Sequence, residues 1–221
     1  MSSVETRVLS AGRDEDRLAV RIVGDAALIV VADGAGGVAG GRRAAEAICA
    51  RIVDGKSDAQ TDWPAVLARL DLVLSADPKC GESTAVVAFI SAGKLRGASV
   101  GDSEAWLVHD DGRVECLTEH QRRKPLLGSG HARPVAFEAE VSAARLLVAT
   151  DGLFKYARRA ELLAAARDHS LETAADGLVR AARLPNGGLQ DDVALVCLRP
   201  EALRPEIQAL SLKREADGAG M

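Results

Sequence analysis

Three apolar runs in this chain of 221 residues each meet an acid at one end. Leu28-Ile29-Val30-Val31-Ala32 leads into Asp33 and then a glycine-rich stretch, Gly34-Ala35-Gly36-Gly37-Val38-Ala39-Gly40-Gly41. An uninterrupted run of this length predicts a strand buried on both faces, and the glycines let backbone pass close to whatever lies at its tip. Leu146-Leu147-Val148-Ala149 reaches Thr150-Asp151-Gly152 in the same way, and Asp191-Asp192 opens the run 193–198. Carboxylates on three buried strand ends repel one another unless positive charge lies between them. Hard divalent cations, which take oxygen ligands, meet that need.

The remaining pattern predicts both helices and hairpins. Residues 7–23 read as an acidic turn, Arg13-Asp14-Glu15-Asp16, feeding a strand that continues through a Gly24-Asp25 hairpin to the Asp33 run. Ala44, Ala45, Ile48 and Ile52 form an apolar stripe at helical spacing over 42–53. Asp62-Trp63-Pro64 supplies an N-cap and a first-turn proline for a second helix, packed through Val66, Leu67, Leu70, Val73 and Leu74. The period then changes to two. Runs at 83–90, 95–100, 104–108 and 114–117, broken by short Gly and Asp turns, predict an antiparallel meander. Residues 118–145 read as a loop with a basic segment, Gln121-Arg122-Arg123-Lys124, suited to an anionic substrate. Helices over 159–167 and 171–182 and the strand 193–198 close a single domain over 1–198; a tail over 199–221 holds one short helix around Ile207 and Leu210.

Composition narrows the function classes. Aromatics are only 3% of the chain, so the core rests on Leu, Val, Ile and Ala. A net charge of −4 speaks against a nucleic-acid or anionic-membrane surface. No apolar run approaches the roughly 18 residues of a spanning helix, and the first residues have no signal-peptide core. Four scattered cysteines without a C-x-x-C pair fit a reducing cytoplasm. A monomer is expected.

Asp-Gly occurs six times, but only at 33 and 151 does it end an apolar run of strand character, which selects those two. Gly34-Ala35-Gly36-Gly37-Val38-Ala39 also satisfies the dinucleotide fingerprint, with Asp54 twenty residues after Gly34. Context opposes that reading: a second helix stands where a parallel strand is required, and hairpins follow.

In order along residues 7–198 the motifs resemble the metal-dependent Ser/Thr protein phosphatases of type 2C, the PPM family. Asp14-Glu15-Asp16 is similar to the family's first acidic motif, and Asp33-Gly34-Ala35-Gly36-Gly37 to its Asp-Gly-x-Gly-Gly. Gly81-Glu82-Ser83-Thr84-Ala85 resembles its Gly-Thr/Ser-Thr strand start, and Val100-Gly101-Asp102-Ser103-Glu104-Ala105 its Val-Gly-Asp-Ser-Arg-Ala. Leu117-Thr118, the stretch from Leu147 to Leu153 and Gln190-Asp191-Asp192-Val193 complete the set.

The resemblance implies an α+β fold, a four-layer αββα sandwich of two antiparallel sheets flanked by helices. It implies two ions of Mn²⁺ or Mg²⁺, with Asp33 bridging them, the Gly34 carbonyl on one, and Asp151 and Asp191 on the other. Glu15 and Asp16 would act through metal-held waters, and Asp102 matches the position of a third, weaker metal in bacterial members. A water made acidic by the two cations would attack phosphorus in line. The implied substrate is a phosphoserine or phosphothreonine protein, such as the target of a bacterial Ser/Thr kinase.

Three departures stand out. Ala11 occupies the position of the family's phosphate-binding Arg, with Arg13 two residues away. Ala35 and Val38 stand near the place of a His that some members use on the leaving group. The flap after Thr118 is short, leaving Arg122, Arg123 and Lys124 as candidates for the phosphate contacts. Ala11 and the missing His favour an alternative, a non-catalytic module of the same fold that binds metal or phosphoprotein. The set Asp33, Asp102, Asp151 and Asp191 favours the enzyme. The blandest reading makes these acids solvated turns of an unrelated β-rich domain.

Overall fold

The computed structural model describes residues 3–35, 40–141 and 144–203. The elements run β1 (Val4–Leu9), β2 (Asp16–Val23), β3 (Ala26–Ala35), α1 (Gly40–Asp54), α2 (Trp63–Ser75), β4 (Glu82–Ser83), β5 (Ala85–Ser91), β6 (Lys94–Val100) and β7 (Glu104–His109). They continue with β8 (Val114–Cys116), β9 (Val135–Glu140), β10 (Ala144–Ala149), α3 (Asp151–Phe154), α4 (Arg159–Ala166), α5 (Leu171–Ala182) and β11 (Val193–Leu198), then a 3₁₀ turn, Pro200–Ala202. The glycine turn at 36–39 and the tail helix expected around Ile207 and Leu210 lie outside the described residues.

Period-two alternation along β3 explains the layering. Ile29 and Val31 face a core shared with Val86, Leu107, Leu146, Val148 and Val196, between the two sheets. Leu28, Val30 and Ala32 face the other way, onto Ile48 and Ile52 of α1 and Leu67 and Leu74 of α2. The second sheet repeats the arrangement: Leu147, Ala149, Val193 and Leu195 pack on Leu153, Leu162, Leu171 and Leu178 of α3, α4 and α5. One sheet has the order β1-β11-β10-β7-β8 and the other β2-β3-β5-β6-β9, with β4 on β3. Every pairing is antiparallel. The result is the expected αββα sandwich.

Local signals account for the helices. Asp62 accepts the Ala65 N–H at 3.0 Å and caps α2, with Pro64 in its first turn. Ser170 caps α5 through the Thr173 N–H, and Leu171, Ala174, Ala175, Leu178, Val179 and Ala182 form its buried stripe.

Four expectations need correction. The predicted meander is split, because β6 and β7 belong to different sheets. Gly101-Asp102-Ser103 is therefore a crossing between sheets, not a hairpin turn. The region 118–145 holds β9, and residues 7–9 of the segment 7–23 belong to a further strand, β1. Both are edge strands that bury one side only, so neither shows a continuous apolar run. Asp151 opens the short helix α3 directly after β10.

Candidate active site

The two sheets present their acidic ends to one another. Asp16, at the start of β2, is the register partner of Asp33 near the end of β3. From the other sheet, Asp151 follows β10 and Asp191-Asp192 precede β11. Asp102 arrives on the crossing between them. All of these line one cleft of about 270 Å³, together with Glu15, Gly34, Ala35, Thr84 and Leu126. Arg13, Arg123, Lys124 and Lys155 complete the wall, so seven carboxylates face four cations. Arg122 is not among the lining residues, unlike its neighbours Arg123 and Lys124. Asp14 turns outward to Arg17 and Arg42.

Hydroxyl groups brace the acids across the sandwich. The Thr150 hydroxyl donates to Asp16 Oδ2 at 2.7 Å and accepts the Ala194 N–H at 2.9 Å, tying one sheet to the other. Thr84 Oγ1 accepts the Asp33 N–H at 3.0 Å and lies 2.7 Å from Ser103 Oγ on the crossing. Asp192 is buried and serves the backbone. Its Oδ1 accepts the Ala11 N–H at 2.6 Å and the Ser10 hydroxyl at 3.1 Å, and its Oδ2 accepts the Glu15 N–H at 2.8 Å. That carboxylate shapes the loop that brings Arg13 and Glu15 to the cleft.

Thr84, Thr150 and Asp192 stand in the sequence motifs with nothing there to show these tasks, and Lys155 stands in none of them. A hydroxyl directly before Asp151 was a usable signal. The cross-sheet partners were not, since 134 residues separate Thr150 from Asp16.

Burial and then the Asp33 charge push the Asp16 carboxyl up to about 9. Burial and then the Asp151 charge push Asp33 up to about 7. Asp151 is also raised, by burial and then by Asp102. Basic side chains meet part of this demand: Arg123 Nε lies 2.7 Å from Asp102 Oδ2, Arg13 Nη1 3.5 Å from Asp191 Oδ1, and Lys155 Nζ 3.9 Å from Asp151 Oδ2. Among the described residues, no three His, Cys, Asp or Glu side chains are drawn tightly enough together to hold a metal ion. The acids of the cleft offer only oxygen donors, and the buried ones are short of positive charge. That donor chemistry fits a hard divalent cation.

The family model described as stage II sporulation protein E, SpoIIE, matches residues 24–201. The chain belongs to the SpoIIE family. Its match starts after the Glu15-Asp16 pair and takes in Asp33, Asp102, Asp151 and Asp191. No curated protein matches the chain. Among solved structures, Stp1, a serine/threonine phosphatase from Staphylococcus aureus, aligns with a TM-score of 0.73 at 16% identity, over 90% of this chain and 95% of that one. The catalytic domain of the serine/threonine protein phosphatase PstP, in complex with two manganese ions, aligns at 0.70 and 21%, over 88% and 96%. MsPP, a PPM Ser-Thr phosphatase from Mycobacterium smegmatis in complex with cacodylate, aligns at 0.70 and 24%, over 89% and 97%. At such identities the likeness is one of fold, and the SpoIIE-family chain has the PPM phosphatase fold. Among the described residues, no helix is long and apolar enough to cross a membrane.

Proposed function

We propose that this SpoIIE-family chain is a metal-dependent phosphatase that hydrolyses phosphoserine or phosphothreonine in a protein substrate. The observation that carries the reading is the convergence of acidic strand ends from both sheets on one cleft, with Asp16, Asp33 and Asp151 all held above the ordinary carboxylate range. Asp33, Asp151, Asp191 and the Gly34 carbonyl would hold two ions of Mn²⁺ or Mg²⁺, with Asp102 toward a third and Glu15 and Asp16 acting through water. Such cations, when bound, supply an acidic water nucleophile and screen the charge of the phosphate. The chain's own part is positioning. Thr150 fixes Asp16, Thr84 fixes the Asp33 backbone, and Arg13, Arg123 and Lys124 offer donors to a phosphate dianion where Ala11 has none.

The test is hydrolysis of p-nitrophenyl phosphate and a phosphothreonine peptide with Mn²⁺, with Mg²⁺ and with EDTA. The expected outcome is turnover that requires the metal and is lost in Asp151→Asn. A second reading, a non-catalytic binding module, is favoured by the ion pairs of Arg123, Arg13 and Lys155 with Asp102, Asp191 and Asp151. Phosphopeptide binding without turnover under any of these conditions would select it.

A further inference from the structure

A second polar assembly lies outside the cleft and takes no part in the scheme above. Asp71, in the middle of α2, is 3% exposed. Its Oδ1 accepts the backbone N–H groups of Gly128 at 2.7 Å and Gly130 at 3.0 Å, and its Oδ2 accepts that of Ala132 at 2.9 Å. Burying a carboxylate is costly unless donors surround it, and here one loop supplies all three. That loop is shaped to do so. Gly128 and Gly130 have φ of +96° and +73°, and a Cβ on Gly128 would lie 2.4 Å from the Gly81 carbonyl oxygen.

The same loop is joined to the cleft. Ser83 and Leu127 exchange both backbone hydrogen bonds, at 2.9 and 3.0 Å, and the Ser83 hydroxyl donates to the Asp33 carbonyl at 2.9 Å. Leu126 lines the cleft, and immediately before Pro125 come Lys124 and Arg123, which line it too. A carboxylate on an outer helix thus clamps the segment whose other end carries two of the cleft's four cations, Arg123 and Lys124. The packing of α2 itself rests on Trp63, Leu67, Leu70 and Leu74, not on Asp71.

We propose that Asp71 is a positioning residue for phosphate recognition: by clamping 128–132 it sets Arg123 and Lys124 over the cleft mouth. The inference rests on the phosphatase reading above, so the experiment includes a readout that needs no turnover. Wild type, Asp71→Asn, the double variant Arg123→Ala/Lys124→Ala and the triple combination are compared in the full chain with Mn²⁺. In Asp71→Asn, KM for a phosphothreonine peptide is expected to rise about tenfold while kcat changes less than about threefold. The double variant should show a similar rise, and adding Asp71→Asn to it should change nothing further, since the residues act as one unit.

Amide hydrogen exchange should quicken over 126–132 in Asp71→Asn and not elsewhere. Should that variant fail to fold, Gly130→Ala strains the clamp where there is room for a methyl, and it should raise KM in the same direction. An unchanged KM, or additive effects in the triple variant, would overturn the proposal. Binding of inorganic phosphate, followed by calorimetry, separates the two ideas. Weaker phosphate binding by Asp71→Asn in a chain without turnover would uphold the clamp and sink only the phosphatase reading. Equal phosphate binding by wild type and variant would sink the clamp.

Discussion

Asp151 carries opposite expected consequences for the stability of the metal-free chain and for the proposed activity. Its charge adds to the repulsion that lifts Asp33, so removing it relieves the metal-free cleft. Metal-free Asp151→Asn is expected to melt above the wild type at pH 8, while its metal-dependent turnover falls about 100-fold or more. Thermal melts and a phosphopeptide assay on the same preparations check both. Asp192 works in the opposite sense. Asp192→Asn weakens its bonds to Ala11, Ser10 and Glu15, each of the kind that contributes about 1.5–3 kcal/mol, and should destabilise the chain by about 2 kcal/mol in urea unfolding. Asp33, Asp151 and Asp191 stood out in the sequence because each bounds an apolar run, and Asp102 because of the family motif around it; all four line the cleft. The tasks of Thr84, Thr150 and Asp192 were not legible there, because contacts between distant segments create them, and Lys155, four residues from Asp151, belongs to none of the motifs.

At the level of elements, close backbone approach holds the acidic ends in place. A Cβ on Gly152 would stand 2.0 Å from the Asp192 carbonyl oxygen, so α3 can lie against the entry to β11 only with glycine there. At Gly34 a Cβ would stand 2.4 Å from the Gly41 carbonyl carbon, where β3 meets α1. Gly152→Ala should cost about 1–3 kcal/mol by displacing β11, measured as a lower urea midpoint with an unchanged slope. Elements with a strong internal signal were read closely. The strand 193–198 and the helix 171–182 match β11 and α5 residue for residue. Edge strands gave a weak signal. In β9, Val135, Phe137 and Ala139 alternate with exposed partners that include Glu138 and Glu140, so half of its pattern is that of a loop. The crossing at Gly101-Asp102-Ser103 has the composition of a hairpin turn, and only the packing of β7 into the other sheet distinguishes it.

Across the whole molecule, the cleft makes stability depend on pH. Asp33 and Asp16 ionise near 7 and near 9 in the folded chain, against an ordinary value near 4 when unfolded. Between those limits the folded chain keeps protons that the unfolded chain has released, so stability falls as pH rises from about 4 through 7 to 9. The metal-free chain should therefore melt lower at pH 8 than at pH 6. A cation that binds the ionised acids reverses this, so the stabilisation by Mn²⁺ should grow over the same range. Melting curves at both pH values, with and without Mn²⁺, read the two effects together.

The most direct measurement is calorimetric titration of Mn²⁺ into the EDTA-stripped chain at pH 7.5, beside Asp33→Asn. Saturable binding of two ions per wild-type chain, lost or reduced to one in Asp33→Asn, is the result expected of a cleft built around missing positive charge. No binding heat together with an unchanged melting temperature would contradict it, and would mean that Arg13, Arg123 and Lys155 neutralise the acids by themselves.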